Sequence, residues 1–202
     1  MIAGVTDAVT YVVTDVECDG PNPSRNSMLA FASVAVSAEG AILGEFEAVL
    51  EPRPDRSPDP GTMDWWRGQP EVWAAATTNA EPPAVVMERF ALWVESLPGL
   101  RVFAARPLIF DGPWIDHYLD RYLGSRANVG IRLQRKVFNG FAALDIDSLI
   151  AGLMGEPHRV AFKPEWPVAW LGDHPHSHRA IDDARGYASI LQHLIALSRT
   201  RV

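Results

Sequence analysis

Residues 8–20 read Ala8-Val9-Thr10-Tyr11-Val12-Val13-Thr14-Asp15-Val16-Glu17-Cys18-Asp19-Gly20. The run from Ala8 to Thr14 is rich in β-branched and aromatic side chains, which suits a buried strand ending at Asp15. Along an extended chain, residues two apart point to the same side, so Asp15 and Glu17 present both carboxylates on one face while Val16 faces the other way. A carboxylate placed where a fold prefers an apolar group is costly unless something compensates it, and a divalent cation would do so. Taken alone, the Asp-x-Glu triplet reads as a solvated strand end. Partners elsewhere in the chain change that reading.

Working outward, Met28 to Ser37 and Ile42 to Leu50 form two further strands joined by the turn Ala38-Glu39-Gly40-Ala41, giving an antiparallel meander. The prolines and glycine of residues 51–61 (EPRPDRSPDPG) oppose regular structure, and with the tryptophan-dense residues 62–73 they form a long surface excursion. From Pro83 to Leu97, Val86, Phe90, Trp93, Val94 and Leu97 recur at helical spacing. Arg101 to Ala105 is a short strand. Pro113 then suits the first turn of a helix carrying Ile115, Tyr118, Leu119 and Tyr122, with Asp111 at its entrance. Gly124 to Phe141 gives no clear element, residues 143–154 pass from a strand edge into a short helix, and Ala180 to Leu197 closes the chain as a helix. The pattern is α/β, and the length of 202 residues suits one core and one domain, residues 1–202.

Composition narrows the function. A net charge of −7 argues against tight, non-specific binding along duplex nucleic acid, since that affinity comes from Lys and Arg displacing phosphate counterions. It leaves room for a nuclease that holds a chain end. Cys18 is the only cysteine, so no intrachain disulfide forms and a small buried hydrophobe suits it better than a nucleophile. The start lacks the pattern of a secretory signal, and no run approaches the ~20 apolar residues that span a bilayer. A cytoplasmic protein with no membrane contact is the expectation.

Two more acids stand out. Asp111 has a plain reading as a helix cap, yet it lies on the helix side shared by Ile115, Tyr118 and Tyr122, which faces the sheet. In residues 176–188 (HSHRAIDDARGYA), His178 and Asp183 are five positions apart, roughly 140° around a continuous helix. Both serve one site only if His178 lies in the loop and Asp183 in the first turns, near the positive end of the helix dipole.

The order Asp15-x-Glu17, then Phe110-Asp111, then His178-x-Ala180-x-x-Asp183 resembles the three motifs of the DEDDh 3′-5′ exonuclease family, which includes oligoribonuclease, RNase T and the proofreading subunit of bacterial DNA polymerase. The resemblance implies an RNase H-like fold, a mixed five-stranded sheet with three antiparallel strands followed by parallel ones, flanked by helices. It implies that Asp15, Glu17 and Asp183 hold one divalent ion, that Asp15 and Asp111 hold or orient a second, and that His178 is the general base. Carboxylate ligation favours two Mg²⁺ or Mn²⁺ ions. The expected substrate is the 3′ end of single-stranded RNA or DNA or a short oligonucleotide, RNA above DNA, and a homodimer is the expected assembly. Many members carry an Asn two or three residues before the Phe-Asp pair. Here the run is Ala105-Arg106-Pro107-Leu108-Ile109-Phe110, which leaves open what replaces that contact.

Cys18, Gly20 and Met28, with Asp19 and Pro21, lie near where the family seats the terminal nucleotide. Trp65, Trp66 and Trp73 are candidates to stack on nucleobases or to pack the excursion onto the body. Arg106, Arg179 and Arg185 are candidate phosphate contacts. Asp182 is expected to cap or face solvent. The alternating His174, His176 and His178 hint at zinc, but Pro175 and the lack of cysteine favour a solvated loop. Two other functions compete: a catalytically inactive nucleic-acid- or protein-binding module on the same fold, and a metal-free glycosidase using Asp15 and Glu17 as acid and base. The second fits poorly, because its carboxylates would stand ~5 Å or more apart across a sugar ring.

Overall fold

The computed structural model describes residues 8–127, 135–140, 142–155, 168–174 and 176–200. Strand β1 (Val9–Cys18) runs through the sheet centre, with β2 (Met28–Ser37) and β3 (Ile42–Val49) on one side and β4 (Leu100–Ala105) and β5 (Leu144–Asp145) on the other, in the order β3-β2-β1-β4-β5. The first three are antiparallel, and β4 and β5 run parallel to β1 and β4. This is the mixed five-stranded sheet expected.

β1 does not stop before Asp15. It pairs with β2 along its whole length, from Thr10 opposite Ser37 to Cys18 opposite Met28, whereas β4 pairs with it only as far as Thr14 opposite Ala105. The strand therefore carries its acids on a stretch with one edge hydrogen-bonded and the other open, at the point where antiparallel pairing gives way to parallel. Open α/β sheets place ligand crevices at such switch points.

Among the described residues six α-helices are interleaved with the strands: α1 (Pro60–Arg67), α2 (Pro70–Thr77), α3 (Pro83–Ser96), α4 (Leu108–Leu123), α5 (Ile146–Met154) and α6 (Ala180–Arg199), with a 3₁₀ turn at Val168–Leu171. Strand alternation sends Val12, Val16 and Cys18 into one core with α3 and α4, and Val13 into a second with α5 and α6. Asp15 and Glu17 share the parity of Val13 and so face α6. Among the described residues no helix is long and apolar enough to cross a membrane.

Two expectations need correction. The excursion after β3 is not without regular structure, because Pro60 and Pro70 open α1 and α2, where a missing N–H breaks no intrahelical bond, and Asp59 caps α1 by accepting the Thr62 N–H at 2.9 Å. Helix α4 begins at Leu108, so Asp111 lies in its first turn and Pro113 sits inside the helix. The Leu108 N–H is taken by Asp145 Oδ2 at 2.9 Å, a cap supplied from β5. Proline at 113 removes the donor that the Ile109 carbonyl would take in a regular helix, and Ile109 is 84% exposed. The unclear stretch Gly124 to Phe141 lies partly, and residues 156–167 lie wholly, outside the described residues.

Candidate metal and nuclease centre

Asp15 and Glu17 from β1 and Asp183 from α6 bring one carboxylate oxygen each to within 4.8 Å of the others. Asp15, Asp111 and Asp183 are buried, while Glu17 is partly exposed. Asp111 enters from the open edge of β1, where its Oδ1 accepts the Val16 N–H at 3.3 Å. All four acids, with Arg106, Phe110, His176, His178 and Tyr187, line a cavity of about 290 Å³. The structure thus gathers the four acids that the sequence singled out.

Asp183 is held by the loop ahead of its own helix: Oδ1 accepts the Ser177 N–H at 2.8 Å and Oδ2 the His178 N–H at 3.0 Å. Those bonds fold the loop back over the helix start and set His178 in a left-handed backbone conformation, φ 57°. As expected, His178 lies in the loop and Asp183 in the helix. The His178 ring packs edge-on against Trp65, centroids 4.9 Å apart, and against His176 at 4.3 Å. Asp182 accepts the Ser177 hydroxyl at 3.2 Å and does not line the cavity.

The carboxylates do not tolerate one another without a counter-charge. Burial, then Asp111, Glu17 and Asp183, holds Asp15 well above the usual carboxylate range. Burial, then Asp183 and Asp111, pushes Glu17 up to about 9. Asp111 is raised chiefly by burial, partly offset by the Val16 N–H. Its Oδ2 is buried with no hydrogen-bond partner among the described residues. An all-oxygen cup with one orphaned oxygen and mutually repelling acids fits a hard divalent cation.

The expected substrate contacts divide. Met28 is fully buried and its N–H donates to the Tyr118 hydroxyl at 2.9 Å, while Cys18 is enclosed and burial pushes its thiol up to about 12. Gly20 packs on Asn26, whose side chain would meet an added Cβ at 2.3 Å. Trp66 is 2% exposed and its Nε1 donates to the Cys18 carbonyl at 2.9 Å, so it offers no face to a base. None of these four residues lines the cavity. Arg106 lines the cavity, and Trp65, 41% exposed, packs against the cavity-lining His178. Arg106 Nε donates to Asp147 Oδ1 at 2.6 Å, and its guanidinium lies 5.7 Å from the Tyr187 ring centre. Arg185 is bound to Glu45 across the α6–β3 boundary, and Arg179 is exposed beside Asp182 at 3.7 Å.

Sequence reasoning passed over two contributors, Tyr187 and Asp147, and read His176 as part of a solvated loop. Tyr187 follows Asp183 by four residues and so shares its helix face, a signal that was available. Asp147 reaches the site only through its tertiary contact with Arg106.

The fold is shared with known nucleases. The nuclease domain of 3′hExo, described as a DEDDh family member and bound to rAMP, matches with a TM-score of 0.64 and 13% identity over 96% of this chain and 94% of that one. Exonuclease I of E. coli in complex with a dT13 oligonucleotide matches at 0.63 and 17% over 96% of this chain and 42% of that one, and exonuclease I of Methylocaldum szegediense at 0.60 and 22% over 96% and 41%. The chain thus spans about two-fifths of the exonuclease I chains. No curated protein matches it in sequence. The architecture is the RNase H-like one of the DEDDh exonucleases, and a family model covers residues 10–195. The chain belongs to the Rv2179c-like 3′-5′ exoribonuclease domain family.

Proposed function

We propose that residues 1–202 act as one exonuclease domain that hydrolyses phosphodiester bonds at the 3′ ends of single-stranded or short nucleic acid, RNA in preference to DNA, using two Mg²⁺ or Mn²⁺ ions. The observation that carries it is the convergence of Asp15, Glu17, Asp111 and Asp183 on one small cavity with His178 beside it. Asp15, Glu17 and Asp183 would hold one ion, and Asp15 with Asp111 the other. Bound there, the cations supply charge neutralisation for the reacting phosphate and make water more acidic.

The protein's own groups do the rest. His178 accepts the water proton at a ring nitrogen; burial and the neighbouring His176 keep its pKa below the ordinary 6.5, so the ring is neutral and ready near pH 7. Arg106, steadied by Asp147, stands at the cavity as a phosphate contact. Trp65 offers an exposed ring beside His178 for a terminal base. The preference for RNA is supported by the exoribonuclease description of the family.

The test is a product ladder from end-labelled single-stranded RNA and DNA with Mn²⁺ or with EDTA. Mononucleotides released from the 3′ end with Mn²⁺ alone, and abolished in folded Asp15→Ala and Asp183→Ala proteins, are expected. Intact oligonucleotides after incubation of folded protein with Mn²⁺ would sink the reading.

A further inference from the structure

Asp183 belongs to a second cluster of different chemistry. His176 Nδ1 stands 3.0 Å from Asp183 Oδ2, the His176 and His178 rings are 4.3 Å apart, and one donor atom from each of the three residues lies within 4.8 Å of the other two. A tetrahedral zinc ion with ligands at ~2.1 Å needs donor atoms ~3.4 Å apart, so small side-chain rotations would close this set on an ion. Two imidazoles and a carboxylate select zinc and its first-row neighbours over Mg²⁺, which prefers oxygen. The alternating histidines 174, 176 and 178 do not all take part: Asp183 stands in the place of His174.

We propose that His176, His178 and Asp183 form a zinc site beside the carboxylate cup, and that Zn²⁺ held there inhibits the exonuclease by occupying His178. Binding follows from the donor geometry alone, whereas the inhibition rests on the function proposed above. Several features prepare the site. The Ser177 and His178 N–H groups already fix the Asp183 carboxylate, so one ligand is oriented before the ion arrives. His176 is exposed, which gives an ion entry from solvent, and three protein ligands leave a fourth position for water.

Zinc uptake by the full chain is measured calorimetrically at neutral pH with excess Mg²⁺ to occupy the carboxylate cup, for the natural protein, His176→Ala, His176→Gln and His178→Ala, each checked for folding by circular dichroism. One equivalent of Zn²⁺ is expected, with affinity lowered by at least about 10–100-fold in every variant, the range that even outer-shell partners of zinc ligands command. Zinc should also inhibit Mg²⁺-supported cleavage, and each His176 variant, measured against its own zinc-free rate, should require at least tenfold more zinc to stop it. Undiminished uptake by His176→Ala and His176→Gln, or no uptake by the natural protein, overturns the site and leaves the histidine–aspartate contact an ion pair only. Zinc uptake that follows His176 in a protein without nuclease activity supports the site and counts against the exonuclease reading alone.

Discussion

Asp111 Oδ1 accepts the backbone N–H of Val16 at 3.3 Å, across the open edge of β1 beyond its last pairing with β4. One carboxylate oxygen thus takes a strand N–H, and the other is buried with no hydrogen-bond partner among the described residues, in a side chain that lines the same cavity as the other acids. Asn at this position keeps the acceptor for Val16 and removes the charge. Asp111→Asn should therefore melt no lower than the natural protein in EDTA, gain less from Mn²⁺, and lose at least about 100-fold in activity, the several kcal/mol that a metal's charge stabilisation supplies. Melting curves with and without Mn²⁺, beside initial rates, check all three.

Glu17 makes the metal-free protein sensitive to base. Its pKa rises from an ordinary 4.5 to about 9 on folding, so between those values the folded state holds a proton that the unfolded chain has released. Stability should then fall as pH rises through that window. Mn²⁺ binds the ionised cup and should oppose the decline most strongly at its upper end. Thermal melts from pH 5 to about 9 in EDTA and in Mn²⁺ test this, and parallel curves in the two series would refute it.

Much of this arrangement was legible in residue order, and the rest was not for identifiable reasons. Strand periodicity put Asp15 and Glu17 on one face, and helix periodicity turned Asp111 inward, because both rest on local geometry. The start of α4 was missed because its cap, Asp145, is 37 residues away in sequence. The excursion hid α1 and α2 because a proline that breaks a helix interior equally well begins one. Trp65 and Trp66 are adjacent and chemically alike, and only the packed structure separates an exposed ring from one sealed against Cys18.

His178 should behave as a proton acceptor and not as a scaffold. His178→Ala is expected to lower the rate by about 10²–10⁴-fold while Mn²⁺ still raises the melting temperature. In the natural protein the acid limb of the rate profile should lie below the ordinary histidine value of 6.5, the direction in which burial and His176 move it. An acid limb above that value, or one unchanged in His178→Ala, would remove His178 from this role.

The tryptophans offer a paired control. Trp65→Ala should leave the melting temperature nearly unchanged and weaken binding of single-stranded ends by about 1–3 kcal/mol, the worth of one stacked base. Trp66→Ala should cost about 3–5 kcal/mol of folding stability, because it empties a buried site and frees the Cys18 carbonyl. Urea unfolding and fluorescence anisotropy separate the two effects, and the reverse assignment would contradict the packing.

Away from the cup, Arg53 is buried and held on three sides. Its guanidinium donates to Asp55 at 3.1 and 2.8 Å, meets His117 Nε2 at 2.7 Å and lies 5.9 Å from the Tyr118 ring centre. His117 must be neutral to accept that bond, and burial followed by Arg53, Arg56 and Arg121 lowers its pKa. A histidine depressed on folding contributes stability above its unfolded value of about 6.5 that is lost as pH falls below it. His117→Ala should cost about 1–3 kcal/mol at neutral pH by leaving a buried donor unpaired. It should also flatten the decline in stability below pH ~6.5, because the group that titrates there is gone. Urea titrations at pH ~5 and ~7.5 measure both, and a cost that is equal at the two values would show that His117 contributes packing without the proton linkage.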